Sequence, residues 1–211
     1  MLSPAVAAEL QTRLSTPRLA PYLSSSDGQI AAALELYVWN MRASGAFFES
    51  FHLLEVGLRN AIHDGLSRRC GREDWFHPGV LPLAPASQKI VATARYRASQ
   101  GHHEELPGRV IAELPFGFWC FLLADDYNRA LWQPYLRHIF PSARRRRLHA
   151  NLEHLRRLRN RIAHHEPIHT HDLRADYQLL LGVASRVSEA FPDVISATSR
   201  VTEILDRRPT T

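Results

Sequence analysis

Leu148, Leu152, Leu155, Leu158 and Ile162 recur at steps of three and four. On a helix turning by roughly 100° per residue, that spacing gathers them into one apolar stripe. Arg159 projects into the middle of the stripe. A guanidinium does not deprotonate in proteins, so burying one demands a paired anion or a bound phosphate. Asn160 and His164, four residues apart, share the neighbouring flank, and the helix breaker Pro167 follows. An arginine, an amide and an imidazole at one helix end suit phosphate chemistry.

The same helical period runs along most of the chain, and no segment alternates as a strand, so the expected fold class is all-α. The spacing predicts helices over 4–14, 27–43, 44–69, 85–101, 108–113, 116–123, 125–138, 142–165, 172–188 and 196–207. Ser142 is read as the N-cap of the long basic helix and Asp172 as the cap of the one after it. A Pro/Ser-rich connection ends at Asp27, and loops are predicted over 71–85 and 102–107. The organisation expected is an N-terminal helix and connection over 1–26, a main helical domain over 27–195, and a terminal helix and tail over 196–211.

Apolar residues make up 45% of the 211, ample for a hydrophobic core. Lys89 is the only lysine, so the net charge of +5 rests on arginine. Between Arg137 and Arg161 nine arginines face a single acid, Glu153. Such a concentration either forms a solvated helix face or meets a polyanion, of which nucleic acid is the commonest. Candidate RNA contacts are Arg144, Arg145, Arg146, Arg147, Arg156, Arg157 and Arg161. Cys70 and Cys120 lack metal-type spacing, the N-terminus lacks a signal-peptide layout, and the longest apolar stretch, 116–124, is too short to cross a bilayer. A reduced, cytoplasmic protein without a membrane anchor is expected.

The helix predicted over 44–69 carries a second pattern. His52, Glu55, Arg59 and His63 form a polar ridge beside the stripe Phe47, Phe51, Leu54, Leu58, Ala61 and Ile62. Either Glu55 and Arg59 make a surface i,i+4 pair, or the ridge faces Arg159 and His164 and supplies the carboxylate that a buried arginine needs. In the second case Glu55, Arg59 and His63, with His165 and Glu166, orient the site without attacking substrate.

Arg159, Asn160 and His164 suit cleavage of a phosphodiester that carries its own nucleophile, the RNA 2′-hydroxyl. His164 could take that proton or protonate the departing 5′-oxygen, and Arg159 could neutralise charge building on phosphorus. Five residues on a regular helix turn two side chains about 140° apart. The helix therefore unwinds before Pro167, two chains pool their residues in a symmetric dimer, or both. A metal reading would use His164, His165, His169 and Glu166, with His171 and Asp172 nearby. Adjacent helical histidines seldom chelate one ion, and no zinc-protease spacing is present, so neither metal nor cofactor is expected. There is no Gly-rich phosphate cradle and no G-x-S-x-G elbow. The aromatic series Phe116, Phe118, Trp119, Phe121, Tyr127 and Trp132 is expected to pack in the core or a dimer interface.

Three blocks, residues 37–66, 108–123 and 158–168, together resemble the Abi-like family of abortive-infection proteins, a branch of the HEPN superfamily. The last block, LRNRIAHHEPI, is the most specific. It matches the superfamily pattern of an arginine, a polar residue and a histidine four to six residues on, at Arg159, Asn160 and His164. The resemblance implies a HEPN-like helical bundle with additional helices, a homodimer with a composite cleft, and metal-independent cleavage of RNA leaving a 2′,3′-cyclic phosphate. It further implies a role in phage defence or as a toxin restrained by an antitoxin, which in this family can be an RNA. A noncatalytic RNA-binding module is the alternative, because some HEPN proteins only bind RNA or nucleotides.

Overall fold

Helix α3 (Ile30–Cys70) is 41 residues long, and most of the other helices pack along it. The sequence predicts a break at Ser44, but one helix runs through Ser44 and Gly45. Ala43, Ala46 and Phe47 on either side are buried, and keeping that apolar face continuous outweighs the roughly 1 kcal/mol that glycine costs a helix. Farther along, a Cβ on Gly57 would sit 2.1 Å from the Phe191 ring, and one on Gly65 2.2 Å from Ile139 Cδ1. Those two glycines let neighbouring segments close directly onto the α3 backbone.

The computed structural model describes residues 4–99 and 106–210, and among them every regular element is helical. They comprise α1 (Pro4–Leu14), α2 (Thr16–Ser24), α3, α4 (Pro85–Ser99), α5 (Pro107–Glu113), α6 (Phe116–Phe121), α7 (Arg145–Ala163), α8 (Leu173–Val187), α9 (Phe191–Thr198) and α10 (Val201–Asp206). The end of the helix predicted over 85–101 and most of the loop 102–107 lie outside the described residues. Among the described residues no helix is long and apolar enough to cross a membrane. The core joins Phe47, Phe51 and Leu54 of α3 to Leu152, Leu155 and Leu158 of α7 and Leu180 and Val183 of α8. Phe118, Trp119, Tyr127 and Trp132 of the aromatic series are buried in that core. Cys70 and Cys120 are both free thiols, and burial pushes the Cys120 thiol far above the ordinary cysteine range.

Four further boundaries differ from those the sequence suggests. The Pro/Ser-rich connection contains α2, which begins with Pro17 in its first turn and is held down by buried Leu19 and Tyr22. The segment 125–138 is not one α-helix, because Pro134 has no N–H to extend the ladder. It forms a 3-10 turn at Asp125–Tyr127, a π turn at Asn128–Trp132 and another 3-10 turn at Leu136–His138. Ser142 does not cap α7; the Ala143 N–H bonds to Phe140 O, and Arg144 takes the capping position without a side-chain bond. The terminal helix is two pieces, broken where the Val201 N–H bonds to Ser199 Oγ. Asp172 does cap α8, accepting from Ala175 N at 3.1 Å.

The turn after α7 is bolted to α3. The buried Asn40 carbonyl accepts from the N–H groups of Ile168 and His169 at 2.8 and 3.1 Å. His169 is 1% exposed, stacks on Tyr22 with ring centroids 4.7 Å apart, and lies 3.0 Å from Ser25 Oγ. Burial lowers its pKa below the ordinary imidazole value of 6.5. His63 is lowered for the same reason, and its Nδ1 accepts the Trp75 indole N–H at 3.0 Å. Both rings fold as neutral imidazoles, so the unfolded chain binds more protons as pH falls past that value. Their contribution to stability is therefore full above about pH 6.5 and is lost on acidification. The thermal midpoint is expected to drop between pH 7.5 and pH 5. His169→Phe, which keeps the stack on Tyr22, is expected to make that drop shallower in a pH series of melting curves; an unchanged slope would contradict this.

Candidate active site

The turn that Asn40 holds decides where α7 ends. Ala163 is its last residue, and His164 caps it at φ −92° and ψ 11° with its N–H on Asn160 O at 2.9 Å. His165 then adopts φ 57°, a left-handed conformation unusual outside glycine. Its carbonyl receives Arg18 Nη1 from α2. Arg161 donates to Pro167 O at 2.8 Å and lies 3.7 Å from Glu166. The helix thus ends before Pro167, one of the alternatives its sequence leaves open.

Arg159 lies at the edge of the apolar seam. Leu155, Leu158 and Ile162 around it are buried, whereas its own side chain is 28% exposed. Its Nε donates to Glu55 Oε1 at 2.7 Å and its Nη2 to Glu55 Oε2 at 3.3 Å. The guanidinium carbon also sits 5.8 Å from the centre of the Phe48 ring. Glu55 therefore pairs across the α3–α7 contact, as the second reading of the ridge requires. Arg59 bonds instead to Asn60 Oδ1 at 3.3 Å. Glu55 engages two of the five guanidinium N–H groups, which leaves the rest for another oxyanion.

A cavity of about 560 Å³ opens at this pair. Arg159 and Asn160 of α7 line it with Phe48, His52, Glu55 and Arg59 of α3. Pro115, Phe116, Gly117 and Trp119 at α6 form another wall, and Arg156 reaches in across Gly117, where a Cβ would meet its Cδ at 3.3 Å. His164 does not line this cavity and its side chain is exposed beyond the helix end. A second, more apolar hollow of about 920 Å³ adjoins it, sharing Phe48 and His52 and reaching Met41, Ile162 and His165. Met41 and Phe48 are 59% and 46% exposed there.

Several expected contacts are redirected. His63 does not face the cavity; it is committed to Trp75 inside the fold. Arg145 cannot be an RNA contact, because it is buried and its donors go to Leu123 O and Asp125. Arg161 and Glu166 brace the post-helix turn. Arg156 is bound to Glu153 at 2.8 Å while lining the cavity. Arg144, Arg146, Arg147 and Arg157 are exposed, as an RNA-binding role requires. The histidines of the metal reading do not gather: His169 is buried against Tyr22, and His164 and His165 are exposed. Among the described residues no group of three or more His, Cys, Asp or Glu is placed to hold a metal ion. The sequence pattern does not mark Phe48 or the α6 wall as cavity residues, and it places His52 only on the ridge. For Phe48 and His52 the signal was available, since they lie two turns and one turn before Glu55 on the same helix face.

No family model, curated protein or solved structure matches the chain.

Both carboxylate and guanidinium of the Glu55–Arg159 pair are partly exposed, so water can replace either partner. Glu55→Ala is expected to change unfolding free energy by less than about 1 kcal/mol in urea titration. The same variant is expected to speed solvent exchange of the Arg159 Nε–H, followed by NMR, by at least tenfold. A large stability loss with unchanged exchange would show that Glu55 holds the fold rather than the guanidinium.

Proposed function

We propose that this protein is a metal-independent endoribonuclease of HEPN type that works as a homodimer. The observation that carries the reading is the Arg159 guanidinium, clamped by Glu55 with N–H groups to spare in a cavity that three arginines, Arg59, Arg156 and Arg159, line together with Glu55 and Glu113. In this reading the cavity takes a phosphodiester of single-stranded RNA. The 2′-oxygen attacks phosphorus and loses its proton to an imidazole, while the 5′-oxygen leaves and accepts a proton. The products are a 2′,3′-cyclic phosphate and a 5′-hydroxyl. Arg159 stabilises the charge that accumulates on the nonbridging oxygens, and Asn160 orients a phosphate oxygen or the imidazole.

His164 is the imidazole of the proposed site. It stands exposed at the helix end and does not line the cavity of its own chain. A second copy supplies it in this reading, seated on the exposed Met41–Phe48 surface beside the cavity. The resemblance of residues 158–168 to Abi-like proteins supports the assignment and suggests phage defence, or a toxin held by an antitoxin, as its setting.

One observation favours a second reading: His52 already lines the same cavity as Arg159 and Asn160. A single chain could then cleave RNA with His52 as the proton carrier.

Purified protein is expected to cleave single-stranded RNA in EDTA. Arg159→Ala and His164→Ala are each expected to lower the rate at least a hundredfold, and His52→Ala less than tenfold, on denaturing gels. Loss of activity with His52→Ala but not His164→Ala would select the second reading. Undiminished cleavage in both Arg159→Ala and His164→Ala would remove the proposal.

A further inference from the structure

A groove of about 770 Å³ runs between the first half of α7 and α8. Arg144, Arg147 and Asn151 line one side, Gln178 and Arg186 the other, and no acidic residue lines it at all. All three arginines are exposed, and no carboxylate partner is found for any of them among the described residues. Arg146 and Arg157 of α7 are likewise exposed and without a carboxylate partner among the described residues, but they do not line the groove, and the remaining arginines of α7 and α8 are paired. Arg145 has Asp125, Arg156 has Glu153, Arg159 has Glu55, Arg161 has Glu166 and Arg174 has Asp206.

The position raises the electrostatic cost. Arg144 to Arg147 crowd the N-terminal end of α7, where the helix dipole is already positive, and the first turn holds no acid and no side-chain cap. Arg144 and Arg147 lie one turn apart on one face, opposite Arg186 on α8, so the three charges converge on the same hollow. Repulsion among them is relieved by an external anion, and neutral donors from Asn151 and Gln178 stand between the charges. Buried Leu148 and Val183 make a rigid floor.

We infer that this groove binds the phosphodiester backbone of a nucleic-acid strand, outside the segment held at Arg159. Arg147 and Arg159 point about 120° apart around α7, so the groove does not simply extend the first cavity. It is a separate hold on the strand. The inference shares with the proposed function only the choice of RNA as ligand, and its test requires no cleavage.

The probe is a fluorescently labelled, fully 2′-O-methylated oligoribonucleotide, which lacks the attacking hydroxyl, alongside DNA of the same sequence. Anisotropy titrations of the full chain over a range of salt read both affinity and salt slope. Wild type is expected to bind both probes, because backbone contacts do not read sugar or sequence. Arg147→Gln combined with Arg186→Gln is expected to weaken both at least tenfold and to flatten the log–log salt slope by about 1.4, at about 0.7 for each phosphate no longer neutralised. Arg147→Glu with Arg186→Glu weakens binding further, with circular dichroism unchanged. Wild-type affinity and slope in the Gln variant, or no binding of DNA by wild type, would overturn the inference. Absence of RNA cleavage would leave it standing and count only against the nuclease reading.

Discussion

Arg159 and Glu55 meet 2.7 Å apart where α7 crosses α3, and the candidate site is organised around that pair. A lone guanidinium next to Leu155, Leu158 and Ile162 would lose hydration without compensation. Paired with Glu55 in a two-bond geometry, it acquires a fixed plane while keeping part of its surface in water. The energetic worth of such a half-exposed pair is small, so what it supplies is direction more than stability. Phe48 and the wall at α6 then set the shape of the space that the remaining donors face.

α3 contributes to this site at two levels. Asn40 fastens the turn that stops α7, and Glu55, four turns later, fastens the arginine that α7 carries. A single uninterrupted helix keeps these two anchors in register, which is a physical reason for α3 to run through Ser44 and Gly45 without a break. The arginines of α7 divide by face in the same way. One face is consumed in internal pairs with Asp125, Glu153 and Glu55, while Arg144, Arg146, Arg147 and Arg157 keep their charge for solvent or ligand. The positive charge of the chain is therefore patterned, and its net value of +5 understates the local fields.

Helical period identified the all-α class and the buried faces of α7 and α3, and cap chemistry identified Asp172, because each is written in local sequence. The Glu55–Arg159 contact was legible as one of two alternatives, since a buried arginine needs an acid and the ridge on α3 offered one. What stayed hidden depends on residues distant in sequence. Arg145 reads like its neighbours until Leu123 O and Asp125 are brought against it. His63 looks like part of the ridge until Trp75, twelve residues on, donates to it. The apparent stops at Ser44 and at the Pro/Ser-rich stretch before Asp27 were overridden by packing, as weak local preferences are when a continuous apolar face can be buried. Pro134 shows the reverse, a local rule that broke the segment 125–138 where the apolar pattern alone had suggested one helix.

In the proposed nuclease, Arg159 and an imidazole assist attack by the RNA's own 2′-hydroxyl, and the chemistry of the new RNA ends reports on that directly. After incubation with single-stranded RNA in EDTA, mass spectrometry of the fragments is predicted to find 2′,3′-cyclic phosphate paired with 5′-hydroxyl termini. Fragments bearing 3′-hydroxyl and 5′-phosphate ends would mean that water, not the ribose, attacks phosphorus, and would contradict the mechanism at its root.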